Sequence, residues 1–267
     1  MLGAIIGDIV GSVYEFDNYK SKDFMPFFHR RAKITDDTVC TIAVADILLH
    51  QKAPAETLRN WCVRYESVGG WGGRFGVWFE QKTLAPYGSF GNGAAMRVSP
   101  AAFLAKSEEQ ALAWAEVVTE ITHDHPEGIK GAKATTLAIY RALQGDSPDQ
   151  IREAVSNTYA YDLSLSVDQI RPNYRYTESC QGSVPQAITC ALEATDFEDA
   201  IRNAISIGGD SDTIAAIAGG IAEARFGIPD NLAELTRHYL TDEMWGVVQL
   251  AKKAMARKNS SHDKEIF

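Results

Sequence analysis

Apolar side chains recur every three to four positions along most of this chain, and the two-residue alternation of a half-buried strand hardly occurs. Between positions 38 and 49 the apolar residues are Val39, Ile42, Ala43, Ala45, Ile47, Leu48 and Leu49, which form one stripe of a helix. Residues 108–121 are rich in Ala and Glu, both strong helix formers. Residues 129–143, 184–194, 213–226, 231–239 and 243–257 read the same way. A chain patterned like this buries its stripes by packing helix on helix, so the expected fold class is all-α. With 267 residues, 45% of them hydrophobic, one sizeable core is affordable in a single domain. The domain is expected over residues 1–257, with a polar, frayed tail over 258–267.

Three stretches carry no helical period: residues 16–33, the glycine-rich 67–91, and 159–183. Long loops in a compact domain are frequently functional. The formal net charge of -9 disfavours nucleic-acid backbones and anionic membranes as partners. A phosphorylated small molecule remains possible if metal ions, helix N-termini or backbone amides hold it. The four cysteines form no C-x-x-C pair and read as reduced, buried thiols of a cytoplasmic protein. No secretory signal is expected, because Met1 to Ile6 is apolar without a preceding Lys or Arg and Asp8 interrupts it. The longest apolar run, 214–222, is far shorter than the roughly 20 residues that span a bilayer.

Two acidic motifs stand directly before helical stretches: Thr35-Asp36-Asp37-Thr38 and Gly209-Asp210-Ser211-Asp212-Thr213. Asp, Ser and Thr are the preferred helix caps, and a carboxylate gains from the positive end of a helix dipole. One cap needs only one acceptor, however, and a second nearby carboxylate adds repulsion unless it meets water or a cation. Asp and Thr oxygens are the hard ligands that Mg²⁺, Mn²⁺ or Ca²⁺ accept, whereas Zn²⁺ favours His and Cys. The residues alone leave capping and metal binding both open. Near the N-terminus, Gly7-Asp8-Ile9-Val10-Gly11-Ser12 has the small residues of a close helix contact and leads to Glu15.

Taken in order, the motifs resemble the ADP-ribosylglycohydrolase family. They are Gly3-Ala4-Ile5-Ile6-Gly7-Asp8, Glu15, Thr35-Asp36-Asp37-Thr38, Gly88-Ser89-Phe90-Gly91-Asn92-Gly93-Ala94-Ala95-Met96-Arg97, Thr122-His123-Asp124-His125-Pro126-Glu127, Gly182-Ser183-Val184-Pro185-Gln186-Ala187 and Gly208-Gly209-Asp210-Ser211-Asp212-Thr213. The resemblance implies a single compact orthogonal helical domain with a central cleft holding two divalent cations, Mg²⁺ or Mn²⁺. Thr35, Asp36 and Asp37 would bind one ion and Asp210, Asp212 and Thr213 the other, with Asp212 shared. Glu15 matches the glutamate placed beside the metal pair, which makes Glu15, Asp36 and Asp212 the catalytic candidates. Gly88, Ser89, Phe90, Gly91, Asn92 and Gly93 match the loop around the ADP-ribose phosphates, and His123 a position near the distal ribose. Glycines there let backbone amides approach the phosphates closely.

The implied activity is metal-dependent hydrolysis of the glycosidic bond between ADP-ribose and an acceptor, on a protein or in a small molecule. A nucleic acid would enter only as an ADP-ribosylated end, and a monomer is expected. Two rivals use the same residues. One is a catalytically silent protein of this fold that binds ADP-ribose or a toxin; the other is a two-metal phosphoesterase.

Overall fold

A computed structural model of the chain describes residues 1–262. Its described residues hold helices and no strand, as the period predicts. The α-helices are α1 (Leu2–Gly11), α2 (Asp36–His50), α3 (Pro54–Arg64), α4 (Gly73–Glu80), α5 (Gly93–Met96), α6 (Ser99–Leu104), α7 (Glu108–Glu120) and α8 (Pro126–Leu143), followed by α9 (Pro148–Tyr159), α10 (Val167–Ile170), α11 (Cys180–Leu192), α12 (Phe197–Ile207), α13 (Ser211–Phe226), α14 (Asp230–Arg237) and α15 (Asp242–His262). An isolated bridge between Gly91 and Ser179 ties two loops together. None of the described helices is long and apolar enough to cross a membrane. All four cysteines are buried and unpaired.

Helix α13 is the axis of the domain. It is buried from Ser211 to Ala222 and packs against α1, α8, α11 and α12. Helix α1 lies against it with no side chain between the two backbones. A Cβ on Gly3 would fall 2.2 Å from Gly219 O, one on Gly7 2.0 Å from Ala215 O, and one on Gly11 2.5 Å from Asp212 Cα. Glycine at every fourth position of α1 is therefore what allows the contact. The consequence for function is positional, because this contact sets Asp8 and the end of α1 beside the first turn of α13.

Two expectations are corrected. The glycine-rich stretch 67–91 is not loop throughout, since it contains α4. Its Phe75, Trp78 and Phe79 are buried in a stack of aromatic rings, while Gly73 and Gly76 face open space. Aromatic burial there outweighs the poor helix propensity of glycine. The loop expected over 159–183 likewise holds the short α10 and the first turn of α11. Helices α1, α3, α5, α6, α9 and α12 add to the ranges expected. The polar tail expected over 258–267 begins inside α15, and residues 263–267 lie outside the described residues.

Candidate active site

The acidic centre is built on Asp8. This aspartate is fully buried in α1 and accepts four hydrogen bonds from the start of α2. Thr35 N and Thr38 N donate to its Oδ2 at 3.0 Å each, Thr35 Oγ1 donates to its Oδ1 at 2.7 Å, and Thr38 Oγ1 donates to Oδ2. Thr35 is the N-cap of α2, and its hydroxyl accepts from Asp37 N. Capping is thus met by Thr35 and Asp8, which leaves the carboxylates of Asp36 and Asp37 for another use.

The first turn of α13 supplies the other half. Asp210 occupies its N-cap position yet makes no side-chain cap; Asn92 Nδ2 donates to Asp210 Oδ2 at 2.7 Å instead. Thr213 Oγ1 donates to Asp37 Oδ2 at 3.2 Å, which joins the two motifs directly. Carboxylate oxygens of Asp8, Asp37 and Asp212 lie within 4.8 Å of one another, and so do those of Glu15, Asp210 and Asp212. Asp212 belongs to both groups. Thr35, Asp36, Asp37, Asp210, Asp212 and Thr213 are all buried, and all line one cleft of about 800 Å³ that Glu15 also borders.

So many carboxylates cannot all stay ionised here without help. Burial first, then the neighbouring acids, push Asp36, Asp37 and Asp212 well above the ordinary carboxylate range. Burial raises Asp8 and Asp210 as well, against the hydrogen bonds they accept. Half-buried Glu15 is raised to about 7 by burial, by Asp210 and by Asp8. Asp37 Oδ1 is buried and has no hydrogen-bond partner among the described residues. A buried carboxylate oxygen without a donor is costly, and a cation would satisfy it. The donor set is oxygen only, so the residues fit hard divalent ions of the Mg²⁺, Mn²⁺ or Ca²⁺ kind.

Away from the acids, the cleft is walled by Ser89, Gly91, Asn92, Gly93 and His123. Phe90 is 46% exposed and lines an adjoining pocket of about 450 Å³. Gly88 borders neither; its N donates to Asp124 Oδ1 at 2.6 Å, which pins the loop. The side chain of Asn92 turns toward Asp210 and Ser183, so it braces the acidic centre. His125 accepts from Glu127 N as the N-cap of α8, a structural role. Trp71 and Arg74 also line the cleft. Three contributors were not signalled as such by sequence. Asp8 showed as a polar break in an apolar run and as one member of the N-terminal motif, with no role of its own. Glu178 and Tyr176 sit in the loop after α10 and close the cleft opposite Phe16.

Comparison with known proteins gives a consistent result. The family model described as ADP-ribosylglycohydrolase matches residues 1–263. ADP-ribosylarginine hydrolase Tri1 of Pseudomonas putida is 28% identical over 262 residues, covering 85% of this chain and 70% of that protein. Human ADP-ribosylhydrolase ARH3 is 26% identical over 306 residues, covering 85% of this chain and 84% of its own. The ADP-ribosyl-(dinitrogen reductase) glycohydrolase of Rhodospirillum rubrum is 27% identical over 262 residues, with 86% and 85% covered. A solved chain described as an ADP-ribosylglycohydrolase-related protein complex shares the fold at a TM-score of 0.72, with 21% identity over 96% of this chain and 95% of that one.

Proposed function

Because this chain belongs to the ADP-ribosylglycohydrolase family, we propose that it hydrolyses the glycosidic bond between ADP-ribose and an acceptor, releasing ADP-ribose. The acceptor is a protein side chain or a small molecule. The observation that carries this reading is the convergence of the two aspartate motifs on one cleft, with Asp212 common to both acidic groups. The named activities of the relatives support it. We assign the activity to residues 1–257 of a cytoplasmic monomer; the reduced, buried cysteines suit that compartment.

In this reading Thr35, Asp36 and Asp37 hold one divalent cation, Mg²⁺ or Mn²⁺, and Asp210, Asp212 and Thr213 hold the other, with Asp212 shared. When bound, the pair neutralises the carboxylates and supplies Lewis-acid polarisation at the distal ribose. Asp8 and Asn92 keep the ligands in place through the hydrogen bonds described above. The backbone of Ser89 to Gly93 cradles the phosphates, with His123 beside it. Glu15 is the general base. It takes a proton from water as the water oxygen bonds to the anomeric carbon and the bond to the acceptor breaks, its electron pair leaving with the acceptor.

A panel of substrates with ADP-ribose linked to arginine, serine, a nucleic-acid end or an acetyl group, assayed with Mg²⁺ or Mn²⁺, tests the proposal. Release of ADP-ribose from at least one linkage, lost in excess EDTA, is expected. Full turnover in EDTA, or tight ADP-ribose binding with no release from any linkage, overturns it.

A further inference from the structure

Arg97 is the largest charged side chain in the core and has no ion-pair partner among the described residues. It follows α5 and reaches the end of α7, where its Nη2 donates to Val118 O at 3.2 Å and to Thr122 Oγ1 at 2.7 Å. A guanidinium can only donate, so the Thr122 oxygen is the acceptor in that bond. The same oxygen lies 2.7 Å from His123 Nδ1. A threonine hydroxyl carries one hydrogen, and Nδ1 is the one acceptor in its reach among the described residues. The oxygen has a second lone pair, but were it to accept from Nδ1 as well, the hydroxyl hydrogen would have no acceptor among the described residues; donation to Nδ1 is the arrangement that satisfies every group. A nitrogen that accepts carries no proton, which places the imidazole hydrogen on Nε2.

The other edge of the ring is open. Nε2 makes no hydrogen bond among the described residues, and His123 lines the cleft. A Cβ added at Gly93 would lie 3.3 Å from Nε2, and one at Gly91 3.5 Å away. These two glycines of the phosphate-side loop thus leave Nε2 uncovered. Burial, with Arg97 and Arg74 nearby, holds His123 well below its ordinary pKa, so the ring stays neutral.

We propose that Arg97 and Thr122 are positioning residues, which lock His123 as the Nε2–H tautomer and aim that N–H at an oxygen of bound ADP-ribose. The inference rests on the proposed function for the identity of the ligand. It assigns a task to a buried arginine whose other contacts among the described residues are the Val118 carbonyl and the Phe75 ring. A neutral, fixed donor over a glycine loop complements a diphosphate or a ribose oxygen without the reorganisation a mobile lysine would require.

The test uses the whole 267-residue chain labelled with ¹⁵N-histidine and supplied with Mg²⁺, a diamagnetic ion. The ring signals of His123 are assigned by their loss in His123→Asn. Long-range ¹H–¹⁵N spectra should show a protonated Nε2 and a hydrogen-bonded, unprotonated Nδ1. Thr122→Val should remove the hydrogen-bond signature at Nδ1 and weaken ADP-ribose binding, measured by calorimetry, roughly two- to tenfold, as expected for loosening one hydrogen bond. Thr122→Ser should restore both. A proton on Nδ1 in the unsubstituted protein overturns the proposal without any variant, and so does unchanged ADP-ribose affinity in folded Thr122→Val. Failure of the unsubstituted protein to bind ADP-ribose would count against the proposed function, and the tautomer measurement would still decide the relay.

Discussion

Replacing Asp8 by alanine tests whether this side chain organises the loop that carries Asp36 and Asp37. The carboxylate accepts from two backbone N–H groups and two hydroxyls at a position with no solvent contact. In Asp8→Ala the two hydroxyls can rotate toward other acceptors, but Thr35 N and Thr38 N cannot. Each stranded donor costs about 1–3 kcal/mol, so the pair costs about 2–6 kcal/mol. Removing a buried anion returns part of this, and a net loss of about 3 kcal/mol is expected. That corresponds to a fall in Tm of roughly 6–12 °C for a chain of this size. Asp8→Asn separates acceptor count from charge. Its amide oxygen at the Oδ2 position keeps three of the four bonds, and its NH₂ can donate to Thr35 Oγ1, so the cost should stay under about 1 kcal/mol. Urea unfolding of the metal-free proteins, followed by circular dichroism, measures both. If alanine destabilises no more than asparagine, the hydrogen bonds to Asp8 do not hold the loop.

Metal-free protein should lose stability as pH rises. Glu15 and five aspartates are raised on folding, so their contribution is full below their unfolded pKa values and is lost as pH climbs through the folded ones; for Glu15 that window runs from 4.5 to about 7. His123, depressed from 6.5, and the buried Met1 amine, depressed from 8.0, work in the opposite direction but are two groups against six. Thermal melts in EDTA that rise across this window would contradict the assignment, and Mg²⁺ should flatten the slope. Asp212→Ala should abolish both Mg²⁺ binding by calorimetry and turnover. Glu15→Gln should leave Mg²⁺ binding intact and lower kcat by about 10²–10⁴-fold; an unaltered kcat would remove Glu15 as the base. Gly11→Ala should destabilise by about 1–3 kcal/mol in urea, because its methyl would meet Asp212 Cα, and a neutral result would mean that α1 and α13 can part freely.

The long periodic helices were legible because their stripes are clear and their ends are signalled. Ser107 caps α7, Pro126 opens α8, and Gly227 follows α13. Helix α12 was equally legible in principle, since Phe197, Ala200, Ile201, Ala204 and Ile205 keep a clean period after the Asp196 cap, yet it fell outside the expected helices. Helix α4 was hidden by its glycines, and only the partners of Phe75, Trp78 and Phe79 reveal why it forms. The aspartates of the site were readable by type and spacing. Their meeting was not, because it depends on the glycine contact between α1 and α13, a fact about two distant segments. The bonds of Asp8 to α2 and of Asn92 to Asp210 were not readable for the same reason: each joins residues far apart along the chain.

The acidic centre takes Asp8 through Asp37 from the beginning of the chain and Asp210 through Thr213 from near its end. On the ribosome, the early carboxylates emerge long before the residues that complete their cage. Capture of the proposed ions therefore waits until Thr213 has emerged, and then arrives together with the docking of α13. If the cleft takes a divalent cation as proposed, its occupancy reports that α13 has docked on α1, and cellular ion supply then feeds directly into how much of the chain stays folded.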